Sequence, residues 1–417
     1  MKQKMYKLSS KAKLVLNQVE GAELFCVEVL IASGYAEEKA NKEGITYLLS
    51  RMLLSGTSNY KGKDSVQLKI KAMGGKIVTE VQEEYIKIAL TVPRERAISA
   101  VSFIAELIFD FYYEDEDFEI EKSMAIIEQE KYDQNPNFTG KQYLKFLAFK
   151  RTGLCNSPFG KPKTLEKLTI EDMGDYFIKI VHPKNMVISC AGSFNEEEMI
   201  TAVEESFGSN AAYDVDARVE KYVPAIANRD EFIKSKVRNL FQTRFFLGFR
   251  APAYTDFNKY YISIFLQMME FFSKKYFASK PYFFGVSTEN LSFANNGLAI
   301  IHFMCNHEEA MTTLQEFNNC LQKTKNTLLP EFFEIEKKNL IGEVLRDYDS
   351  MEEIATKCGV QHLYTKKPYD IDEVLTFIND MTFEEYRKVV QQYISPDKMY
   401  MSYVGKKVNN AREVFDF

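Results

Sequence analysis

Residues 168–193 read LTIEDMGDYFIKIVHPKNMVISCAGS, and residues 381–406 read MTFEEYRKVVQQYISPDKMYMSYVGK. Laid over one another without a gap, Thr169 meets Thr382, Pro183 meets Pro396, Met186 meets Met399 and Gly192 meets Gly405, a constant offset of 213. Each stretch opens on a threonine suited to cap a helix and places acids in the first turn. An amphipathic helix, a proline-containing turn, an apolar strand and a glycine stop follow. Two unrelated helix–strand units can share that grammar, but four marker residues in one register point to an internal duplication. The chain therefore reads as two homologous halves, 1–208 and 236–417. They are joined by 209–235, a stretch of mixed charge without sustained apolar periodicity.

Within the first half, ELFCVEVLIASG (23–34) and GGKIVTEVQEEYIKIALTV (74–92) read as strands from their β-branched and alternating residues. Apolar periodicity predicts helices over 43–54, 62–73, 95–111, 116–132 and 139–151. In the second half, 239–252, 284–291 and 297–305 read as strands, and 257–277, 308–325 and 330–347 as helices. The expected class is α+β, each half a mainly antiparallel sheet with helices packed on it.

Composition narrows the function. A net charge of −6 and the absence of a dense Lys/Arg cluster argue against a nucleic-acid surface. The cysteines at 26, 155, 190, 305, 320 and 358 have no CxxC spacing and several sit in apolar strands, which suggests buried thiols in a reducing compartment. The amino terminus is basic but lacks an apolar core of signal-peptide length and lacks arginine, so neither a secretory signal nor a mitochondrial presequence is expected. No run of 18 apolar residues occurs; AISAVSFIAELIFDFYY is broken by Glu106 and Asp110. These features lead to the expectation of a cytoplasmic protein without a membrane span. No nucleophile elbow, phosphate-binding glycine loop or H-E-x-x-H is present.

The stretch at 44–57, GITYLLSRMLLSGT, carries Ile45, Leu48, Leu49, Met52 and Leu53 at helical spacing, a complete core-facing stripe, with Gly56 placed to close the helix. Tyr47, Ser50 and Arg51 lie on another face. Together with its surroundings, this stretch resembles the pitrilysin/insulinase family of zinc peptidases, whose helix carries H-x-x-E-H. Gly44, Met52, Gly56 and Thr57 match the family frame. Tyr47 then stands where the first histidine belongs, Ser50 where the general-base glutamate belongs, and Arg51 where the second histidine belongs. MGGKIVTEVQEEYIKIAL is similar to the family's Gly-Gly strand, beside which a peptide adds as an extra strand. EKSMAIIEQEKYDQNPNF (121–138) is similar to the helix that donates the third zinc ligand, which places Glu128 at the ligand position and Glu121 as its supporting carboxylate.

The resemblance covers essentially the whole chain, yet the chemistry of the family cannot run on these residues. Zinc of this kind needs three protein ligands, an open position for water and a carboxylate base. A tyrosine with a pKa of about 10 is a poor neutral-pH ligand. Arginine stays protonated and would put a fixed cation where the metal belongs. Ser50 cannot act as a base. The expectation is that Arg51 pairs with Glu128. Of the four histidines, His182 reads as a packed turn residue. His302 and His307 bracket HFMCNH, but strand spacing puts them on opposite faces, against a metal clip with Cys305. No metal or cofactor is therefore expected in this chain, and no catalytic residue.

In family members of this kind one subunit keeps H-x-x-E-H and its partner loses it. The resemblance thus implies a non-catalytic subunit of a heterodimeric zinc metallopeptidase acting on peptides or small unfolded proteins, with zinc in the homologous catalytic subunit. The alternative is a structural or peptide-binding protein of the same fold without a proteolytic role, similar to the core proteins of respiratory complexes. Inactive partners in the family hold substrate through an arginine–tyrosine pair in the second half. Here YFASKPYFFGVSTEN contains no arginine; Tyr282 is the candidate substrate-binding tyrosine, Phe283 an alternative alignment, and Lys280 the stand-in for the arginine.

Overall fold

The computed structural model describes residues 1–150, 152–208, 233–326, 329–395, 398–411 and 413–415. Eleven strands are formed among them: β1 (Lys2–Lys7), β2 (Lys13–Gln18), β3 (Leu24–Ile31), β4 (Lys76–Val81), β5 (Ile86–Pro93), β6 (Met186–Gly192), β7 (Ile233–Val237), β8 (Gln242–Ala251), β9 (Phe283–Ser292), β10 (Gly297–Asn306) and β11 (Met399–Gly405). The α-helices of the first half are α1 (Ile45–Met52), α2 (Lys63–Ala72), α3 (Ala97–Phe109), α4 (Asp115–Gln134), α5 (Pro136–Ala148), α6 (Pro162–Leu165), α7 (Ile170–Ile180) and α8 (Glu196–Phe207). Those of the second are α9 (Lys259–Phe277), α10 (Ala310–Asn326), α11 (Pro330–Arg346), α12 (Met351–Thr365), α13 (Ile371–Asp380) and α14 (Phe383–Tyr393).

The duplicated segments match residue for residue. Helices α7 and α14 begin and end at the same offset, as do β6 and β11. Thr169 Oγ1 accepts from Asp172 N at 3.2 Å and Thr382 Oγ1 from Glu385 N at 3.2 Å. Gly192 and Gly405 end their strands with φ of +147° and +158°. A Cβ on either would lie under 3.0 Å from its neighbour, the Leu24 carbonyl oxygen or Thr243 Oγ1. Pro396 lies outside the described residues.

Contacts divide the chain into two compact units. Unit 1 comprises Met1–Glu130, the described part of Asn156–Lys221 and Arg346–Tyr369. Its six-stranded sheet runs β1-β2-β6-β3-β5-β4, with β2 and β6 parallel and every other pair antiparallel. Unit 2 comprises Lys131–Cys155 and the described parts of Tyr222–Leu345 and Asp370–Phe417. Its sheet runs β7-β11-β8-β10-β9, and again one pair, β7 with β11, is parallel. Each sheet is thus mainly antiparallel, with helices packed on it.

The units do not follow the sequence halves. Unit 1 takes α12 from the second half, and unit 2 takes α5 from the first. This explains why β3, LFCVEVLI, is apolar on both faces. Phe25, Val27, Val29 and Ile31 enter the main core of unit 1, whereas Glu28 and Leu30 meet α12. Thr356 donates to Glu28, and a Cβ on Gly359 would lie 2.9 Å from Leu30 Cδ1. In unit 2 α5 approaches β8 the same way: a Cβ on Gly140 would fall 2.0 Å from the Phe246 ring. Successive strand residues point to opposite faces, so a strand buried on both loses its alternation.

Two parts of the sequence reading change. Residues 209–232 of the expected connecting stretch lie outside the described residues, and 233–235 belong to β7. Helix α1 ends at Met52 with Leu53 as its cap, so Gly56 is not the C′ residue. Gly56 instead admits the turn at 60–62: its Cβ would lie 2.9 Å from Gly62 N. Cys26, Cys190, Cys305, Cys320 and Cys358 are buried free thiols. Among the described residues no helix is long and apolar enough to cross a membrane.

Candidate functional site

The site is built on α1 and α4 of unit 1. Ile45, Leu48, Leu49, Met52 and Leu53 are all buried in the core, which fixes the rotation of α1. Its amino end is fastened by the buried carboxylate of Glu38, which accepts from Gly44 N at 2.7 Å and Thr46 N at 2.9 Å. Carboxyl oxygens here accept from donors that a helix start leaves open. Burial pushes the Glu38 carboxyl up to about 8, while those backbone donors oppose the rise. Gly44, at φ +97°, adopts a conformation most side chains avoid, and its Cβ would strike Leu165.

Opposite stands α4, with Phe118, Glu121, Ala125 and Gln129 buried. The two helices meet in a charged cluster. Arg51 Nη1 lies 3.3 Å from both carboxylate oxygens of Glu128. Arg51 Nε donates to Glu121. Tyr47 Oη donates to Glu128 and lies 3.2 Å from Arg51 Nη1. The phenol ring packs edge-on against Phe159 at 4.8 Å. Lys63, at the start of α2, donates to the other oxygen of Glu121. Ser50 turns away from the cluster and donates to the Tyr47 carbonyl at 2.7 Å.

Two cations therefore face two carboxylates, and the formal charge of the cluster is zero. The Glu121 side chain is 3% exposed. Burial alone would raise its carboxyl, but the hydrogen bonds and charges of Lys63 and Arg51 outweigh that and hold it below the ordinary carboxylate range. The donor set does not fit the zinc of the resembling family. A guanidinium cannot give up its proton to become a ligand, and it already engages both carboxylates that would serve the metal. Glu128, held by Tyr47 and Arg51, is not a free base. Among the described residues no cluster of three or more His, Cys, Asp and Glu gathers elsewhere.

The histidines are dispersed. His182 is buried, its Nδ1 accepting from Lys184 N at 3.1 Å. His302 stacks on Phe246 at 4.4 Å, and burial, helped by Arg244, depresses it to about 4. His307 Nδ1 bonds Thr243 Oγ1 at 3.2 Å. Tyr282 and Lys280 converge on one acid in unit 2: Tyr282 Oη donates to Glu316 at 3.0 Å, and Lys280 donates to its other oxygen. Phe283 stacks on Phe277 at 4.1 Å as a packing residue.

Beside α1, β4 forms an edge of its sheet, bonded among the described residues to β5 alone. Sequence reasoning placed Tyr47, Arg51, Glu121 and Glu128 together, and the structure joins them. It missed Lys63 and Glu38. The signal for a second cation was the charge imbalance of two acids facing one arginine; nothing in the spacing marked Glu38.

The sequence matches the family model described as insulinase (peptidase family M16) over residues 13–160 and that described as the peptidase M16 inactive domain over 167–340. Mitochondrial-processing peptidase subunit beta of Dictyostelium discoideum is 21% identical, over 97% of this chain and 89% of its own. An uncharacterized zinc protease of Bacillus subtilis, YmxG, is 21% identical, over 94% of this chain and 96% of its own. A crystal structure described as a peptidase M16 inactive domain from Pseudomonas fluorescens superposes with a TM-score of 0.88 at 16% identity, covering 98% of each chain.

Proposed function

Because this chain belongs to the insulinase (M16) family of peptidases, we propose that it is the non-catalytic subunit of a heterodimeric zinc metallopeptidase. A homologous catalytic subunit would carry zinc and H-x-x-E-H, and the complex would act on peptides or small unfolded proteins in the cytoplasm. The observation that carries the reading is the Arg51 guanidinium bonded to both Glu121 and Glu128, in place of the chemistry that H-x-x-E-H supplies. The helix keeps its packing, its anchor and its opposing carboxylates, so the frame of the site persists while its metal chemistry is replaced by an ion pair. A relative named as one subunit of a processing peptidase supports a role within a complex. The position of β4 at the edge of its sheet supports capture of an extended chain.

The test is co-expression with a homologous chain from the same genome that retains H-x-x-E-H. A stable heterodimer is expected, with zinc in the partner and peptide cleavage only in the mixture. Stoichiometric zinc or cleavage in the lone chain overturns the reading. Failure to form any complex would instead favour a peptide-binding or structural protein of this fold without a proteolytic role.

A further inference from the structure

The sheet of unit 2 carries an arginine whose charge is not answered. Arg244 lies on β8 and points to the same face as Phe246, against which Gly140 of α5 packs. Its Nη2 donates to the neutral Gln242 Oε1 at 3.3 Å. Nε is buried without a hydrogen-bond partner, and among the described residues no carboxylate pairs with the guanidinium. Burial lowers the Arg244 pKa, and no neighbouring charge opposes that fall. A guanidinium presents five donors in a planar fork and cannot neutralise itself, so holding it half-buried and unpaired costs stability until an acceptor arrives.

The surroundings leave the positive charge standing. His302, stacked on Phe246 and depressed to about 4, is neutral near pH 7. Its Nε2 is also buried without a partner, while Nδ1 lies 3.3 Å from Ser287 Oγ. Glu289, the acid that acts on His302, is already paired with Lys141 of α5.

Helix α5 adds to the same sign. Gly140 sits over Phe246 and Leu144 over Gly248. Four helix residues advance about 6 Å and two strand residues about 6.6 Å, so α5 runs in the same sense as β8. One step further back its first turn, which holds no acid, comes level with Arg244. The positive end of the helix therefore reinforces the guanidinium. The end of α4 does not cancel it, because Arg238 donates to the carbonyl oxygens of Asp133 and Gln134 there.

We propose that this face of unit 2 binds a peptide carboxylate, accepted by the Nη donors of Arg244 beside His302 and the amino end of α5. The planar fork matches a carboxylate's two oxygens, and a neutral amide would leave the charge unmatched. The choice of a peptide as bearer of the carboxylate rests on the proposed function; the site is separate from the Arg51 cluster.

The test uses the lone full-length chain at constant ionic strength, so its outcome does not depend on whether a heterodimer forms. Phenylglyoxal modification, mapped by mass spectrometry, reads Arg244 directly, with Arg250, stacked on Phe149 and bonded to Asn296, as internal reference. N-acetylalanylglycine carries only a terminal carboxylate and N-acetylglutamate α-amide only a side-chain one. At least one should slow modification of Arg244 several-fold and leave Arg250 unchanged, and the one that protects identifies the source. N-acetylalanylglycinamide should not protect. Saturation-transfer NMR gives an independent affinity, which Arg244→Gln should weaken about tenfold and Arg244→Lys less. Equal protection by the amide, protection by inorganic phosphate but by neither peptide carboxylate, or a glutamine variant that binds like the parent overturns the proposal.

Discussion

Arg51 and Glu128, 77 residues apart in sequence, are joined through a single nitrogen: Nη1 lies 3.3 Å from each carboxylate oxygen. The same guanidinium reaches Glu121 through Nε. The positive charge at this position is thus covalently part of the chain. A bound metal ion would have to displace it from both carboxylates.

Restoring the motif should restore metal binding. The triple variant Tyr47→His, Ser50→Glu, Arg51→His keeps Glu128 and Glu121 in place. It is expected to bind close to one zinc per chain by elemental analysis, while the parent binds far less. A triple variant that folds yet holds no zinc would show that the remaining frame has drifted from metal geometry.

Removing the cation alone should be costly. Arg51→Met leaves Glu121, whose side chain is 3% exposed, with Lys63 as its only paired cation among the described residues. Since the Arg51 side chain is itself 24% exposed, destabilisation of about 2 kcal/mol is expected from urea unfolding. Folded Glu121 titrates below its ordinary value, so its stabilising contribution is full above that value and is lost as pH falls through the lowered one. The Met variant should accordingly show a weaker acid dependence.

Glu28 has the opposite sign. It is fully buried on β3, where Oε2 accepts from Thr356 and Oε1 finds no hydrogen-bond partner among the described residues. Burial pushes its carboxyl from 4.5 to about 8. Between those values the unfolded chain releases a proton that the folded chain retains, so stability falls as pH rises. Glu28→Gln is expected to lose about 2 kcal/mol less than the parent between pH 5 and pH 8. Parallel slopes for the two proteins would refute the assignment.

Two glycines should respond in opposite directions. A methyl on Gly140 would overlap the Phe246 ring, whereas one on Gly174 in α7 meets nothing within 4 Å. Gly140→Ala should destabilise by about 2 kcal/mol through forced repacking. Gly174→Ala should stabilise by about 0.5 kcal/mol by restricting the unfolded chain. Thermal unfolding of both variants decides the point.

The duplication was legible because its markers carry local physics: a threonine cap, a proline turn and a glycine with positive φ need no tertiary partner to be recognised. Tyr47, Arg51, Glu121 and Glu128 were legible because family spacing brings distant positions together. Strands β1 and β2 were not read: KQKMYK is short and lysine-rich, and KLVLNQ follows it within a basic terminal stretch that resembles a solvated end. Helix α12 was missed for another reason. Its buried set, Ile354, Ala355, Cys358, Gly359, Val360, His362 and Leu363, mixes small and polar residues with the large apolar ones, so no continuous apolar stripe stands out. Lys63 joins the site from a third helix, and no periodicity within α2 announces it.

Helices α5 and α12 each serve the sheet of the other sequence half. A duplicated chain with separable halves could be cut between them to give two self-sufficient fragments. Here a cut within 209–232 would strand α5 away from β8, where Phe246 and Gly140 fit together, and strand α12 away from β3 and Glu28. Neither fragment could complete its own layer, and each would carry the piece its sibling lacks. Such fragments are suited to mutual complementation rather than independent life, and the ancestral repeat has become, in folding terms, indivisible.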